Sequence, residues 1–404
     1  MLKGKRIILG VTGGIAAYKA AELLRELIRR GALVRVVMTE HACQFVRPLT
    51  FETLSGHPVS TELFRREGGR QIEHIALADF AELVVIAPAT ANLIGKMAAG
   101  IADDLLTTVL LAVTAPVLVC PAMNERMYAN ATVRENLTRL AAQGHAVLEP
   151  QRGELACGTE GQGRLPEVPA IVEEIESLLT PKDLRGEHLL ITAGPTQEAF
   201  DPVRYITNHS SGKMGYALAV MARRRGAAVT LISGPTELPA PRGVRRIDVR
   251  TALEMRDAVL DHLKEATAVI KAAAVADYRP TVCRETKIKK TEEQMTVCLE
   301  RNPDILAELG RKKGSRIVVG FAMETDHLPE NARAKLAGKG MDFIVANDLT
   351  MPGAGFRTDT NIIRILDREG GDESFPLMDK LEAAGIILDR VKERRKEKGR
   401  RHAR

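Results

Sequence analysis

The stretch Ile191–Gly215, ITAGPTQEAFDPVRYITNHSSGKMG, decides the fold. An apolar strand, Leu189–Ala193, leads into it and breaks at Gly194-Pro195. A long polar loop follows, and Gly212-Lys213-Met214-Gly215 then opens a helix expected to run to about Arg225. A strand, a glycine-bearing loop and a helix N-terminus are the parts with which an α/β sheet offers backbone N–H groups to an anion. Most such connections take only a few residues, so a loop this long and polar points to function. A complete α/β pattern has already run upstream, so the stretch also starts a second domain. The fold class expected is α/β, with two doubly wound Rossmann-like domains in tandem.

Composition agrees with two domains. A chain of 404 residues can bury two sizeable cores. Trp is absent and aromatics make up 3%, so those cores must be Ala, Val, Leu and Ile, which suits a sheet covered by helices. The net charge of +6 is local: Lys392–Arg404 holds eight Lys/Arg against two Glu, leaving the body near neutral. That argues against nucleic acid as a partner, and the basic tail, 392–404, reads as a frayed helix end. Cys43, Cys120, Cys157, Cys283 and Cys298 are scattered, odd in number and without CxxC spacing, as in a reduced cytoplasmic protein without a zinc site. No apolar run approaches the ~20 residues that span a membrane, and no signal peptide precedes the first strand.

In the first half, Arg6–Val11 is a strand, Thr12-Gly13-Gly14 a turn, and Ile15 to Arg30 a helix before the strand Leu33–Met38. The glycines lack GxGxxG spacing, and Thr39 stands where a dinucleotide site needs an acidic residue, so a single phosphate, as in FMN, fits better. Leu83–Ala87 is a buried strand ending in Pro88-Ala89-Thr90-Ala91-Asn92, with small polar groups at the carboxyl end where such sheets bind ligands. Asp103-Asp104 begins a helix as a cap. Val117–Cys120 ends in Pro121-Ala122-Met123-Asn124, which alone reads as a turn. His74 alone reads as structural or surface. Cys157 differs from the other cysteines in lying in a polar, glycine-rich stretch to Gly163-Arg164, which suggests a mobile flap. Glu167–Leu179 closes the domain as a helix, and Thr180–Asp183 is the linker.

In the second half, Ala228–Ser233, Val244–Val249, Ala268–Ala272, Ile317–Phe321, Phe343–Asn347 and Asn361–Leu366 are strands. The third runs into Ala273-Ala274-Val275-Ala276-Asp277-Tyr278, whose small residues admit a ligand to the backbone; Asp277 could meet a ribose or a metal. In Lys287-Ile288-Lys289-Lys290, extended backbone puts Lys287 and Lys289 on one face. Asn302-Pro303-Asp304-Ile305 reads as Asn302 capping a helix with Pro at its first position. Lys335 and Lys339 share a helix face. Gly212-Lys213-Met214 has Met where a P-loop needs Ser or Thr, so this is not a P-loop NTPase.

Taken together, AGPTxExxDPVRYITNHSSGKMG, AAVADY, KIKK, PAMN and ACGxxGxGR resemble the bacterial bifunctional phosphopantothenoylcysteine decarboxylase/phosphopantothenate–cysteine ligases of coenzyme A synthesis, from about Lys3 to Arg390. The resemblance implies a flavodoxin-like FMN decarboxylase domain at 1–180 and a CTP-dependent ligase domain at 181–391. In the first, Gly13, Gly14, Ile15, Thr39, Pro88, Ala89, Thr90 and Asn92 would bind FMN, Met123 the substrate, and Asn124 the substrate carboxylate. His74 would handle protons, and Cys157 would donate one to the enethiol. In the second, Lys287 would serve the acyl-phosphate chemistry, with Asn208, Arg204 and Lys289 on the substrate. Ala273, Asp277, Pro303, Asp304, Ile305, Leu306, Phe321, Lys335 and Lys339 would contact CTP. Implied substrates are 4′-phosphopantothenate, cysteine and CTP with Mg2+, and the implied assembly is a homo-oligomer of trimeric flavoprotein and dimeric ligase contacts.

Two other readings stand beside this. A tandem Rossmann-type oxidoreductase would explain the fold, but it asks for an NAD fingerprint that the chain lacks. A non-catalytic flavin-binding regulatory subunit would explain the first half and leave the ligase motifs without purpose.

Overall fold

The structure is a computed structural model describing residues 2–64, 72–154, 158, 160–289, 295–324, 328–348, 355 and 358–402. It divides into two compact units, Met1–Thr180 and Pro181–Arg404.

The first unit runs β1 (Arg6–Val11), α1 (Ala17–Arg29), β2 (Leu33–Met38), α2 (Ala42–Phe45), α3 (Pro48–Ser55), α4 (Glu73–Phe80), β3 (Leu83–Ala89), α5 (Ala91–Ala99), α6 (Leu105–Ala112), β4 (Val117–Pro121), α7 (Glu125–Ala129), α8 (Ala131–Ala142), β5 (Ala146–Val147), the hairpin β6 (Gln151–Glu154) and β7 (Glu160–Arg164), and α9 (Val168–Leu179). Its parallel sheet has the order β2-β1-β3-β4-β5. Both faces are covered, which is why the strands read as unbroken apolar runs. Ile7, Leu9 and Val11 pack with Leu23, Leu24 and Ile171, while Ile8, Val84 and Ile86 pack with Leu93 and Leu106. The strand order reverses between β1 and β3. In such sheets the ligand crevice lies at this switch point, beyond the carboxyl ends of the strands.

The second unit runs β8 (His188–Ala193), β9 (Gln197–Ala199), β10 (Tyr205–Thr207), α10 (Lys213–Arg224), β11 (Ala228–Ser233), β12 (Arg245–Asp248), α11 (Ala252–His262), β13 (Ala268–Lys271), β14 (Tyr278–Pro280), β15 (Leu299–Arg301), α12 (Ile305–Lys312), β16 (Ile317–Glu324), α13 (Leu328–Gly338), β17 (Phe343–Asp348), β18 (Thr360–Asn361), β19 (Ile363–Asp367), β20 (Asp372–Ser374), β21 (Met378–Asp379) and α14 (Lys380–His402). Its sheet has the order β12-β11-β8-β13-β16-β17-β19-β20, parallel through β17 and antiparallel beyond. The switch point here falls between β8 and β13.

Three expectations change. The polar loop after β8 is not open coil, because β9 and β10 pair within it as an antiparallel hairpin. Asp183 is not free linker: its carboxylate binds Arg225 at 2.7 Å and Lys392 at 2.6 Å, and the Arg225 hydrogen bond holds it well below the usual carboxylate range. In place of a frayed tail, α14 continues to His402. Ala383, Ala384, Ile387, Leu388 and Val391 bury its inner face, and its cations find carboxylates: Arg394 on Asp367 at 2.7 Å, Arg395 on Glu187 at 3.1 Å, Lys398 on Asp342 at 2.8 Å.

Candidate active sites

At the first switch point, Thr12 ties the two strand ends together. Its hydroxyl donates to Pro88 O at 2.7 Å and accepts from the Thr90 N–H at 3.0 Å. Beside it opens a cavity of about 990 Å³ lined by Gly13, Gly14, Ile15, Thr39, Thr90, Asn92, Met123 and Asn124, among others. Pro88 and Ala89 form the buried end of β3 beneath it. Gly13 is required by close approach: a Cβ there would lie 2.3 Å from His41 Cβ. Helix α1 starts at the cavity with no side-chain cap and no acidic residue in its first turn; Ala17 N and Lys19 N already donate to Gly14 O and Ala16 O, so it is the positive end of the helix dipole that favours an anion there. Lys19 adds a cation, held at 3.4 Å from Glu167. Thr90 caps α5 by accepting from Leu93 N. Asp104 caps α6 through a capping box with Thr107, and Lys96 reaches Asp103 at 2.7 Å, as a cap-and-dipole role requires.

Asn124 is both turn and wall. Its Oδ1 accepts from Arg126 N at 2.9 Å, capping α7, while the residue lines the cavity next to Met123. Two of the glycines after Cys157, Gly161 and Gly163, allow close packing. Gly163 O accepts from Met123 N at 3.0 Å, and a Cβ on Gly163 would stand 2.1 Å from Met123 O. The β6–β7 hairpin thus lies directly on the Met123–Asn124 turn. Cys157 lies outside the described residues. His74 is half-buried in the first turn of α4 and does not line this cavity; its neighbours Ile72 and Ile75 are 60% and 42% exposed.

In the second unit the signature residues form a frame. Thr192 Oγ1 accepts from Ala273 N at 3.2 Å and Thr196 Oγ1 from Ala276 N at 3.0 Å. Asn208 donates through Nδ2 to Ala274 O at 3.0 Å. The buried Glu198 accepts from Ala252 N at 2.9 Å at the start of α11. Asp201, fully buried, grips Arg204 by two hydrogen bonds of 2.6 and 3.0 Å, and Arg204 keeps its carboxyl well below the usual range. Both partners hold Ile288: its N–H donates to Asp201 at 3.2 Å and its carbonyl accepts from Arg204 at 2.9 Å. Pinning Ile288 leaves Lys287 and Lys289 exposed on either side of it, next to Arg204.

A second group gathers beyond the end of β13. Asn302 N donates to Asp277 O at 2.8 Å, and its Nδ2 donates to Ala276 O at 2.9 Å. With its side chain so engaged, Asn302 is not the cap expected of it; Asp304 caps α12 by accepting from Ala307 N at 3.0 Å, and Pro303 precedes the helix. Asp304 also binds Lys339 at 2.9 Å. Ile305 and Leu306 are the buried first turn of α12, and Phe321 is half-buried on β16. Lys335 stands exposed one turn before Lys339. Asp277 is exposed, and among the described residues no group of three His, Cys, Asp or Glu is placed to hold a metal.

One residue escaped the sequence reading. Lys271 ends the otherwise apolar strand β13, half-buried, with Asp304, Lys339 and Asp277 as its charged neighbours; burial pushes its ammonium pKa down to about 8. A lysine closing the run Ala-Val-Ile was the available signal.

Residues 1–180 match the family model described as Flavoprotein, and residues 184–394 that of the DNA/pantothenate metabolism flavoprotein C-terminal domain. The coenzyme A biosynthesis bifunctional protein CoaBC of Bacillus subtilis strain 168 is 49% identical over 405 residues, covering 99% of this chain and 100% of the relative. The CoaBC of Escherichia coli strain K12 is 47% identical over the same coverage. Among solved structures, the C-terminal domain of a CoaBC is 42% identical, covering 52% of this chain and 97% of that one, with TM-score 0.46. A mutant PPC decarboxylase complexed with pantothenoylaminoethenethiol is 30% identical, covering 43% and 97%, with TM-score 0.39. A flavoprotein unit with its cavity at the switch point, followed by a pantothenate-metabolism unit, defines a two-site enzyme. The chain belongs to the family of bifunctional coenzyme A biosynthesis proteins, with one decarboxylase and one ligase activity.

Proposed function

We propose that residues 1–180 hold FMN and decarboxylate 4′-phosphopantothenoylcysteine to 4′-phosphopantetheine. Residues 181–391 then supply its substrate, joining cysteine to 4′-phosphopantothenate with CTP through an acyl-cytidylate. The observation that carries this reading is the cavity at the β1–β3 switch point, walled on one side by the Gly13–Ile15 turn and on the other by Met123 and Asn124. The positive end of the α1 dipole with Lys19 suits one phosphate, and the exposed Ile15 and Tyr18, each 59% accessible, suit a flat apolar ring. Bound FMN supplies the two-electron oxidation and re-reduction that this decarboxylation needs. Asn124 orients the carboxylate with a neutral amide, which leaves it less stabilised than an arginine would and so easier to lose. His74 accepts a proton, and Cys157 returns one.

In the ligase unit, Lys287, Lys289 and Arg204 face the acyl and phosphate charge as it develops. Asn208 holds the acyl group, and Asp277, Asp304, Lys335 and Lys339 surround the nucleotide. Mg2+ would accompany the triphosphate. A cytoplasmic setting goes with this reading, since Cys43, Cys120, Cys283 and Cys298 are free thiols.

His74 stands outside its own chain's cavity, flanked by exposed isoleucines, so we read the decarboxylase site as shared between copies, in trimeric flavoprotein contacts, with ligase units pairing as dimers. Co-expressing His74→Asn with Asn124→Asp chains tests this: a shared site regains decarboxylation in mixed assemblies, and a site within one chain does not. The whole reading is tested on purified protein by its flavin absorbance and by cysteine-dependent pyrophosphate release. CTP should be strongly preferred; a colourless protein, or equal rates with ATP, would count against it.

A further inference from the structure

We propose that Lys271 is a further phosphate-binding residue of the ligase unit, a cation at the floor of the nucleotide crevice; this rests on the nucleotide reading above. Lys271 is the last residue of β13, paired with Thr192 of β8 on one side and Gly320 of β16 on the other. That is the switch point of the second sheet, where α/β folds receive their ligands. Strand alternation fixes the side it faces. Ile270 packs with the α10 and α14 side, Val269 with Leu306, Leu309, Ala332 and Leu336, and Lys271 follows Val269.

The charged groups met there are Asp304 from the start of α12, Lys339 from the end of α13 and Asp277 from the loop after β13; the strand neighbours Thr192 and Gly320 carry none. Asp304 is already engaged by Lys339 at 2.9 Å and by Ala307 N at 3.0 Å. The Lys271 ammonium has no hydrogen bond or ion pair with any described residue. A half-buried ammonium is costly unless something compensates it. Two carboxylates lie within electrostatic range, yet neither closes on it. Lys271 and Lys339 thus stand as two cations at one crevice, with Asp304 bonded to Lys339 alone, an arrangement that an incoming polyphosphate completes. Burial has already moved the Lys271 pKa to about 8, and a bound anion must move it back up.

The test is calorimetric titration of CTP into the full-length protein at pH 8, in buffers of different ionisation heat. Wild-type protein should take up as much as about half a proton on binding, because the free amine is partly neutral and the bound one is not. Lys271→Met should lose that uptake and weaken CTP binding about 10- to 100-fold, the worth of one charged hydrogen bond. Lys271→Arg, which keeps a cation but cannot lose its proton, should hold affinity and lose the uptake. Wild-type affinity in the Met variant, or uptake that persists in the Arg variant, overturns the assignment. Wild-type protein that releases pyrophosphate from ATP but binds no CTP overturns the nucleotide reading itself.

Discussion

In the first unit, Gly13, Ile15, Thr39, Thr90, Asn92, Met123 and Asn124 all line one cavity of about 990 Å³. In the second, the cavity of about 360 Å³ beside Arg204 touches neither Asn208 nor Lys287, and Lys339 stands away from it along the strand ends. The difference matches what each site must do. A cofactor that stays bound is served by one large preformed pocket. On the proposed ligation, three substrates enter and three products (pyrophosphate, CMP and 4′-phosphopantothenoylcysteine) leave each cycle, which a crevice with a fixed frame and an open cationic strap serves. In the ligase unit, accordingly, the buried polar groups Thr192, Thr196, Glu198 and Asp201 build the frame, and Lys287 and Lys289 stay exposed.

The widest break between the units should come from Cys157→Ser. Oxidation and carbon dioxide loss precede the protonation assigned to Cys157, so this variant should give one burst of carbon dioxide and then stop, with flavin absorbance bleached and ligation untouched. Steady formation of 4′-phosphopantetheine would remove Cys157 from the chemistry. Lys287→Gln should do the reverse, lowering ligation about 10²–10³-fold, the usual cost of one donor to developing charge, while decarboxylation of supplied substrate continues. A parallel fall in both rates would mean that the units are not functionally separate. Asp201→Asn should lower ligation less, because it loosens the anchor under Ile288 and leaves the lysines themselves in place; a ligation rate equal to wild type would show that the strap needs no anchor.

The smallest effect is one of stability. Glu308 binds Arg256 at 2.7 Å and Lys312 at 2.8 Å, and the Arg256 hydrogen bond draws its carboxyl down to about 2. A depressed carboxylate stabilises the fold above its ordinary range and loses that contribution as pH falls toward about 2. Glu308→Gln should therefore cost ~1 kcal/mol or less at pH 7. The gap to wild type, measured by chemical unfolding, should narrow in acid; a gap that widens there contradicts the sign.

Much of the architecture was legible because strands covered on both faces must be continuous in Val, Ile and Leu. Arg6–Val11, Leu33–Met38 and Ala228–Ser233 begin and end where the apolar runs do. The cap on α12 was not legible, since Asn302 and Asp304 are both good caps and the choice rests on Asn302 meeting Ala276 across the crevice. The β9–β10 hairpin escaped because three-residue strands carry no period. In the PAMN turn the amide could be read, but not that its oxygen would be used on its own helix. Lys271 was hidden by the opposite fault: beside KIKK, a lone lysine drew no notice.

The end of α14 bears on the order in which the molecule is made. Lys392, Arg394, Arg395 and Lys398 close onto Asp183, Asp367, Glu187 and Asp342, which lie at the entry to the second unit and at the ends of its strands β19, β8 and β17. On a translating ribosome residues 1–180 emerge with their core complete, and domains generally fold as they appear. The second unit waits until α14 has been synthesised, so flavin uptake can precede any competent ligase. Chains ended at Ser374 should bind flavin, while limited proteolysis digests everything after Thr180; a protease-resistant second unit in such chains would show that α14 is an ornament and not a clasp.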